Sequence, residues 1–223
     1  LEEARDLLDH ALPQATPAVM RHWLQRAADH LASFGITTVH HMAAEPAAYF
    51  RQLALAAADP EFALRVWACI PHAQIEAAAE IGLATGQGGH GFTLGGAKFF
   101  ADGALGSRTA WMLEPYLGGN NTGMVVDGPD VLNERVPLAI AAGLTPVIHA
   151  IGDAATRAVV EVYETNAAAW RTAGLRPRLE HAQHMHADDV RRAGSLDLVA
   201  SMQPIHLTFD VESISAELGD RLD

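Results

Sequence analysis

Helix and strand patterns alternate six times along the 223-residue sequence, and this alternation constrains the fold more than any other feature. Each predicted strand is a short run of apolar or β-branched residues preceded by a helical pattern. The runs cover residues 36–42, 62–70, 93–102, 145–151, 176–183 and 196–204. Such alternation is typical of βαβ units that build a parallel sheet. A doubly wound open sheet and a (β/α)8 barrel both satisfy the pattern.

Polar residues near the strand ends favour the barrel. The first turns after strands carry no GxGxxG or GxxxxGK[ST] loop that would bind phosphates. Polar side chains instead stand near the carboxyl ends of different strands: His40, His41, Lys98, Asp102, His149, His181 and Gln203. In a barrel these ends converge on one face. The sequence therefore predicts an α/β fold of the (β/α)8 TIM-barrel type, incomplete with about six βα units, that forms a single domain over residues 1–223.

Composition argues against several classes of partner. Hydrophobic residues make up 49% of the chain and charged residues 19%, which is typical of a globular domain. The formal net charge of −12 repels phosphate backbones, so we expect no nucleic acid partner. No apolar run reaches the length of about eighteen residues that spans a membrane. Cys69 is the one cysteine and cannot form an intramolecular disulfide, which is consistent with a cytoplasmic protein.

Alternation of side chains along each strand places Lys98, His149, His181 and Gln203 on the inner face of the predicted barrel. A lysine inside an apolar strand must be paired or neutral, because burial penalises its charge. Pairing with Asp102 would be a purely structural role. A neutral amine could form a Schiff base, as in barrel aldolases, or a carbamate that bridges two cations. The two imidazoles suit the metal chemistry better.

Four segments carry a resemblance to a known family. They are AKFFADGALGSRTAWMLEPY (97–116), VIHAIGDAA (147–155), RLEHAQHMHADDV (178–190) and ASMQPIH (200–206). In order and in strand position they resemble the metal-dependent amidohydrolase superfamily, in the branch that contains N-substituted formamide deformylase. The resemblance extends from about residue 35 to residue 210.

This resemblance implies a (β/α)8 barrel that binds one or two divalent metal ions, usually zinc, and hydrolyses a non-peptide carbon–nitrogen bond of a small amide-type substrate through metal-activated water. By the same likeness, Lys98 is the carboxylated lysine that bridges the metals, and His149 and His181 are ligands. The alternative function is a Schiff-base lyase or aldolase of barrel fold that uses Lys98.

The sequence also departs from the family pattern. The His-x-His pair of the family's first strand and the aspartate of its last strand, which acts as general base, have no counterpart here. We therefore expect a truncated fragment that lacks the first and last strands, holds no catalytic base and is inactive alone. Bare strand edges make a homodimer plausible.

The remaining candidates are substrate contacts. Asp102, Arg108, Gln203 and His206 lie on the face that would carry the site. Arg108 belongs to the glycine-rich loop that follows Asp102, and it could bind a substrate carboxylate or carbonyl, or pair with Glu114 or Asp102.

Three local expectations complete the prediction. Asp153 is expected to cap the helix that follows Gly152. His184 and His186 are expected to be exposed or to cap a helix. No closing element is predicted near Asp223.

Overall fold

The computed structural model describes residues 15–43, 47–219 and 221. Its strands are β1 (Thr38–His41), β2 (Arg65–Pro71), β3 (Phe92–Phe100), β4 (Pro146–Ala150), β5 (Arg178–His181) and β6 (Val199–Ser201). Its helices are α1 (Pro17–Ser33), α2 (Ala47–Ala57), α3 (Ile75–Glu80), α4 (Pro129–Ala141), α5 (Asp153–Thr165), α6 (Ala167–Thr172), α7 (Ala187–Ser195), α8 (His206–Phe209) and α9 (Val211–Leu218). Short 3₁₀ turns occupy His72–Gln74 and Leu105–Ser107.

The strands form a sheet in the order β1-β2-β3-β4-β5-β6. The pairs β1–β2, β3–β4, β4–β5 and β5–β6 are parallel. Parallel neighbours that follow chain order, with helices between them, are the arrangement of a (β/α)8 barrel. The predicted fold class, a barrel-type α/β fold with six strands, is therefore confirmed.

The described residues fall into two compact units. One comprises the chain up to residue 70 together with residues 86–95, and the other comprises residues 71–85 and 96 onward. The prediction of a single domain stays a prediction. Each metal-ligand and substrate candidate lies in the second unit.

The first unit has its own apolar core. Leu53 and Ala57 of α2 pack with Val66 and Ala68 of β2, and all four are buried. Half-buried Leu24 of α1 adds to this cluster. Burial of these side chains holds the helices against the strands.

In the second unit, buried strands and helices form a core that fixes the strand ends. Phe99 of β3 and Ile148 of β4 are inaccessible to solvent, as are Leu132 of α4 and Val159 of α5. A Cβ on Gly96 would lie 2.1 Å from the Thr145 carbonyl oxygen, so only glycine permits this approach of β3 to the start of β4.

The C-terminal part contains structure that we did not predict. Helices α8 and α9 cover most of residues 206–218, for which we predicted no helix. Leu218 of α9 is buried in a cluster with Leu105, Met112 and Tyr116 from the loop after β3.

Among the described residues, no helix combines the length and apolar character needed to cross a bilayer.

Candidate metal centre and adjoining pocket

The two predicted histidine ligands meet at the ends of neighbouring strands. His149 is the fourth residue of β4, and His181 is the last residue of β5. Their imidazole centroids are 4.6 Å apart, with the ring planes at 76°. The register of β4 with β5 produces this approach, because Ala150 lies beside His181 and places His149 one residue away.

The His149 ring is oriented by main-chain and carboxylate oxygens at the end of β3. Its Nε2 lies 2.8 Å from the Gly103 carbonyl oxygen and 3.3 Å from Oδ1 of Asp102. A carbonyl oxygen only accepts, so Nε2 donates its hydrogen to Gly103, and in the neutral ring Nδ1 carries the lone pair. Metal-binding histidines are commonly oriented in this way by their second ring nitrogen.

The His181 ring is oriented by an amide. Its Nδ1 lies 2.6 Å from Oε1 of Gln203, and Nε2 of Gln203 donates to the Ser201 carbonyl oxygen, which fixes the amide orientation. His181 therefore donates from Nδ1 and keeps a lone pair on Nε2. Burial lowers the pKa of His181, and electrostatic interactions with His149 and Lys98 lower it further, whereas the hydrogen bond to Gln203 raises it. A lowered pKa keeps the ring neutral, as a metal ligand must be.

Lys98 lies on the adjacent strand and is buried, at 2% exposed. Its Nζ donates to the carbonyl oxygen of Phe99 at 2.6 Å and lies 3.8 Å from the ring centroid of Phe100. The aromatic face stabilises an ammonium electrostatically. Lys98 lowers the pKa of His181, so its amine lies within electrostatic reach of that imidazole.

These side chains fit a divalent metal in their donor chemistry. Each imidazole offers one lone pair and is held by a hydrogen bond from its other nitrogen, the arrangement that zinc sites share. No group of three or more His, Cys, Asp or Glu side chains in the described part of the chain is placed to hold a metal ion. The two histidines could therefore supply only part of the coordination sphere of a metal ion.

Asp102, a predicted substrate contact, is instead bound by main-chain groups. Its carboxylate accepts hydrogen bonds from the N–H groups of Trp111 at 2.9 Å, Ile151 at 3.0 Å and Gly152 at 2.8 Å. The residue is only 3% exposed. Asp102 therefore joins the loop after β3 to the end of β4 beside His149.

Arg108 also has a partner within the protein. Its guanidinium forms an ion pair with Glu217 of α9, while its side chain remains 50% exposed. The partners that the sequence suggested for Arg108 were Glu114 and Asp102; Glu114 instead pairs with Arg221, and Asp102 accepts main-chain hydrogen bonds. The Arg108 backbone has φ = 54°, in the left-handed region, at the end of the Leu105–Ser107 turn.

Gln203 and His206, the other two predicted substrate contacts, line a pocket of about 260 Å³ together with His181. The rest of the lining comes from Gln183, His184, Met202, Pro204, Asp210 and Ile214. The rings of His181 and His206 are 6.3 Å apart. The structure thus brings one candidate metal ligand and two substrate candidates to one cavity.

Sequence reasoning missed several residues of this pocket. The expectation that His184 is exposed or caps a helix is wrong, because the residue is half-buried and burial lowers its pKa. Oε1 of Gln183 and Nε2 of His184 are buried without a hydrogen-bond partner among the described residues. His186 does cap α7, since its Nδ1 accepts from the Asp188 N–H. Gln183 and His184 lie two and three residues after the predicted ligand His181. This short spacing is the sequence feature that could have predicted their place in the pocket.

Asp153 also differs from its prediction. Helix α5 begins at Asp153 itself, and Gly152 is the capping residue with no side-chain hydrogen bond. Oδ1 of Asp153 accepts from the Leu113 N–H at 2.7 Å. The carboxylate therefore fixes the loop after β3 and does not cap the helix.

Comparison with known proteins adds family information to this geometry. The sequence model described as "Amidohydrolase family" matches residues 1–221. "Putative amidohydrolase YtcJ" of Bacillus subtilis (strain 168) is 27% identical over 230 residues, which cover 99% of this chain and 42% of that protein. "Protein LONG AFTER FAR-RED 3" of Arabidopsis thaliana is 43% identical over 127 residues, or 56% of this chain and 22% of that protein.

Two solved structures share the fold. Both are uncharacterized metal-dependent hydrolases, from Pyrococcus horikoshii OT3 and Pyrococcus furiosus, and each superposes with a TM-score of 0.83. The sequence identities are 29% and 27%, and 98% of this chain is covered in each case. The chain spans 43% and 44% of these two proteins, so it corresponds to less than half of their length.

Proposed function

Because the chain belongs to the amidohydrolase family, we propose that it forms part of a metal-dependent hydrolase that cleaves a carbon–nitrogen bond of a small, non-peptide, amide-type substrate. The observation that carries the proposal is the pair of oriented imidazoles, His149 and His181, with centroids 4.6 Å apart. Both rings donate one N–H to an oxygen, which leaves one lone pair on each for a cation.

In this proposal the residues of the chain bind and orient. His149 and His181 hold a divalent ion, for which zinc is the first choice because neutral imidazole suits it. Gly103 and Gln203 set the tautomers of the two rings. Lys98, in carboxylated form, supplies the third ligand from β3. When bound, such an ion lowers the pKa of a coordinated water toward about 7 and thus provides the nucleophile.

We further propose that the 223-residue chain alone does not hydrolyse its substrate. Within the described residues, no carboxylate completes a three-ligand set with the histidines. The carboxylate of Asp102, which lies beside His149, already accepts three main-chain hydrogen bonds and is poorly placed to act as a base.

Calorimetric titration of the purified chain with Zn²⁺ tests the proposed ligands. We expect His149→Asn and His181→Asn each to weaken zinc binding by about 100-fold or more, because each removes one of few ligands. Gln203→Ala should weaken it by about 10-fold, since this residue orients His181. His90→Asn is the matched control, because His90 is exposed and lies outside this site. Equal zinc affinity in wild type and the two ligand variants would contradict the proposal.

A second experiment separates the metal site from Schiff-base chemistry at Lys98. Growth with ¹³C-bicarbonate should yield a carbamate ¹³C signal that Lys98→Met abolishes. Reductive trapping of a ketone on Lys98 with borohydride would instead favour the lyase.

A further inference from the structure

The pocket beside His181 has a lining that indicates what kind of chemical group it accepts. Met202, Pro204 and Ile214 supply apolar surface, and the rings of His184 and His206 supply further walls. Its volume of about 260 Å³ lies just below the range of about 300–1,000 Å³ in which whole small ligands bind. The pocket therefore fits one substituent of a molecule, such as an aromatic ring or a branched alkyl group.

The charge of the pocket is equally informative. Among the described residues that line it, Asp210 is acidic and none is a lysine or arginine. Oδ2 of Asp210 lies 2.7 Å from Nε2 of Gln183 and 2.9 Å from Nδ1 of His206. Arg108, the cation that the sequence offered for a substrate carboxylate, pairs with Glu217 of α9.

We propose that this pocket binds an uncharged apolar substituent of the substrate and excludes a substituent that carries a carboxylate. Burial of the substituent against Met202 and Ile214 supplies the affinity. In the metal-free chain, repulsion by Asp210, with no lysine or arginine among the described lining residues, disfavours an anion. The statement that this group belongs to the substrate rests on the proposed function, because His181 is both a pocket residue and a candidate metal ligand.

The bonding within the pocket supports this selection. Asp210 holds the Nδ1 side of His206, which directs the other ring nitrogen away from the carboxylate. The His206 side chain is 37% exposed and that of Asp210 is 22% exposed, so a ligand can reach both. A neutral ligand with one hydrogen-bonding atom can thus contact His206 while its ring fills the apolar part.

Binding to the metal-free chain tests the proposal without depending on the metal site. The probes are benzamide and benzoate, which share a ring and differ in charge, and binding is followed by ¹H–¹⁵N NMR titration. We expect benzamide to shift the amide resonances of residues 202, 203, 205, 206 and 214, with benzoate binding at least about 10-fold more weakly. Equal affinities, or shifts confined to other residues, would overturn the proposal.

A variant with a matched control makes the test specific. Met202 is 60% exposed, so Met202→Glu places a charge at the pocket without burying it and should leave the fold intact. We expect it to weaken benzamide binding by about 10-fold, because it removes apolar contact. Leu138→Glu introduces the same charge at an exposed apolar residue of α4 that does not line the pocket, and it should leave benzamide binding unchanged. Equal effects of the two substitutions would overturn the assignment.

A third variant tests the exclusion of anions. Asp210→Asn removes the negative charge and keeps the side-chain volume. The ratio of the benzamide affinity to the benzoate affinity should therefore fall by about 5-fold or more. An unchanged difference would overturn the role of Asp210. If the wild-type chain bound no zinc but still preferred benzamide to benzoate, only the proposed function would be contradicted. The two failures are therefore distinguishable.

Discussion

Two aspartates beside the candidate metal ligands have contrasting surroundings. Asp102, next to His149, is buried and accepts hydrogen bonds from three main-chain N–H groups. Asp210, in the pocket of His181, is partly exposed, and its carboxylate contacts the side chains of Gln183 and His206. The first aspartate holds the chain in place, whereas the second shapes a cavity. Aspartate therefore stabilises the main chain beside His149, whereas in the pocket of His181 it is proposed to select against anionic substituents.

The largest expected effect is the difference in stability between the two aspartates when each is replaced by asparagine. Asp102→Asn should lower the free energy of unfolding by about 3 kcal/mol, because an amide cannot accept from all three N–H groups, two of which are in buried hydrogen bonds. Asp210→Asn should change it by less than about 1 kcal/mol, since its partners can bind water. Urea denaturation of both variants measures the contrast. Similar losses would show that the two carboxylates do not differ in role.

The next effect concerns close packing around Asp102. A Cβ on Gly152 would lie 1.9 Å from the Trp111 carbonyl oxygen, so Gly152→Ala must displace the main chain of the loop. We expect a loss of about 2–3 kcal/mol in the free energy of unfolding. Gly106→Ala, in the loop after β3 that contains Trp111, is the control, because a Cβ there meets nothing within 4 Å. Its free energy of unfolding should stay within about 0.5 kcal/mol of wild type. A mild effect of Gly152→Ala would mean that this junction is pliable.

The smallest effect is a pH dependence carried by His184. Burial lowers its pKa below the usual 6.5, although Asp153, Asp210 and Asp102 oppose the shift. Between the lowered pKa and 6.5, the unfolded chain binds more protons at this residue than the folded chain does. Its contribution to stability is therefore complete above pH 6.5 and is lost as the pH falls toward the folded-state pKa.

The measurement is the free energy of unfolding at pH 5 and pH 7 in wild type and His184→Gln. We expect the free energy of unfolding to differ less between pH 5 and pH 7 in His184→Gln than in wild type. His22→Gln, at an exposed position of α1, should retain the wild-type difference. An identical pH dependence in all three proteins would exclude His184 as its source.

Much of the fold was predictable because helix and strand periods are local. All six predicted strands exist, but several end early where the backbone turns. The run 176–183 stops at His181, whose φ of 71° is incompatible with an extended strand, and Asp197 at φ = 58° delays the start of β6 to Val199. Positive φ at a non-glycine residue leaves no clear mark in the sequence.

The site was predictable only as a set of strand-end residues. Alternation brought His149 and His181 together, yet it could not reveal which polar groups hold them. The hydrogen bonds of Asp102 join residues 9, 49 and 50 positions apart, and Arg108 pairs with Glu217 in a helix that we did not predict. Such partners depend on tertiary packing, which a single sequence pattern does not encode.

The loop after β3 is fastened twice, by Asp102 to the Trp111 N–H and by Asp153 to the Leu113 N–H. Laboratory evolution of a new substrate range should therefore keep Asp102 and Asp153 and leave the loop around Trp111 and Leu113 unchanged, since variants there would disturb these hydrogen bonds. The pocket residues Met202, Pro204 and Ile214 offer the better library, because they line the cavity without holding a candidate metal ligand.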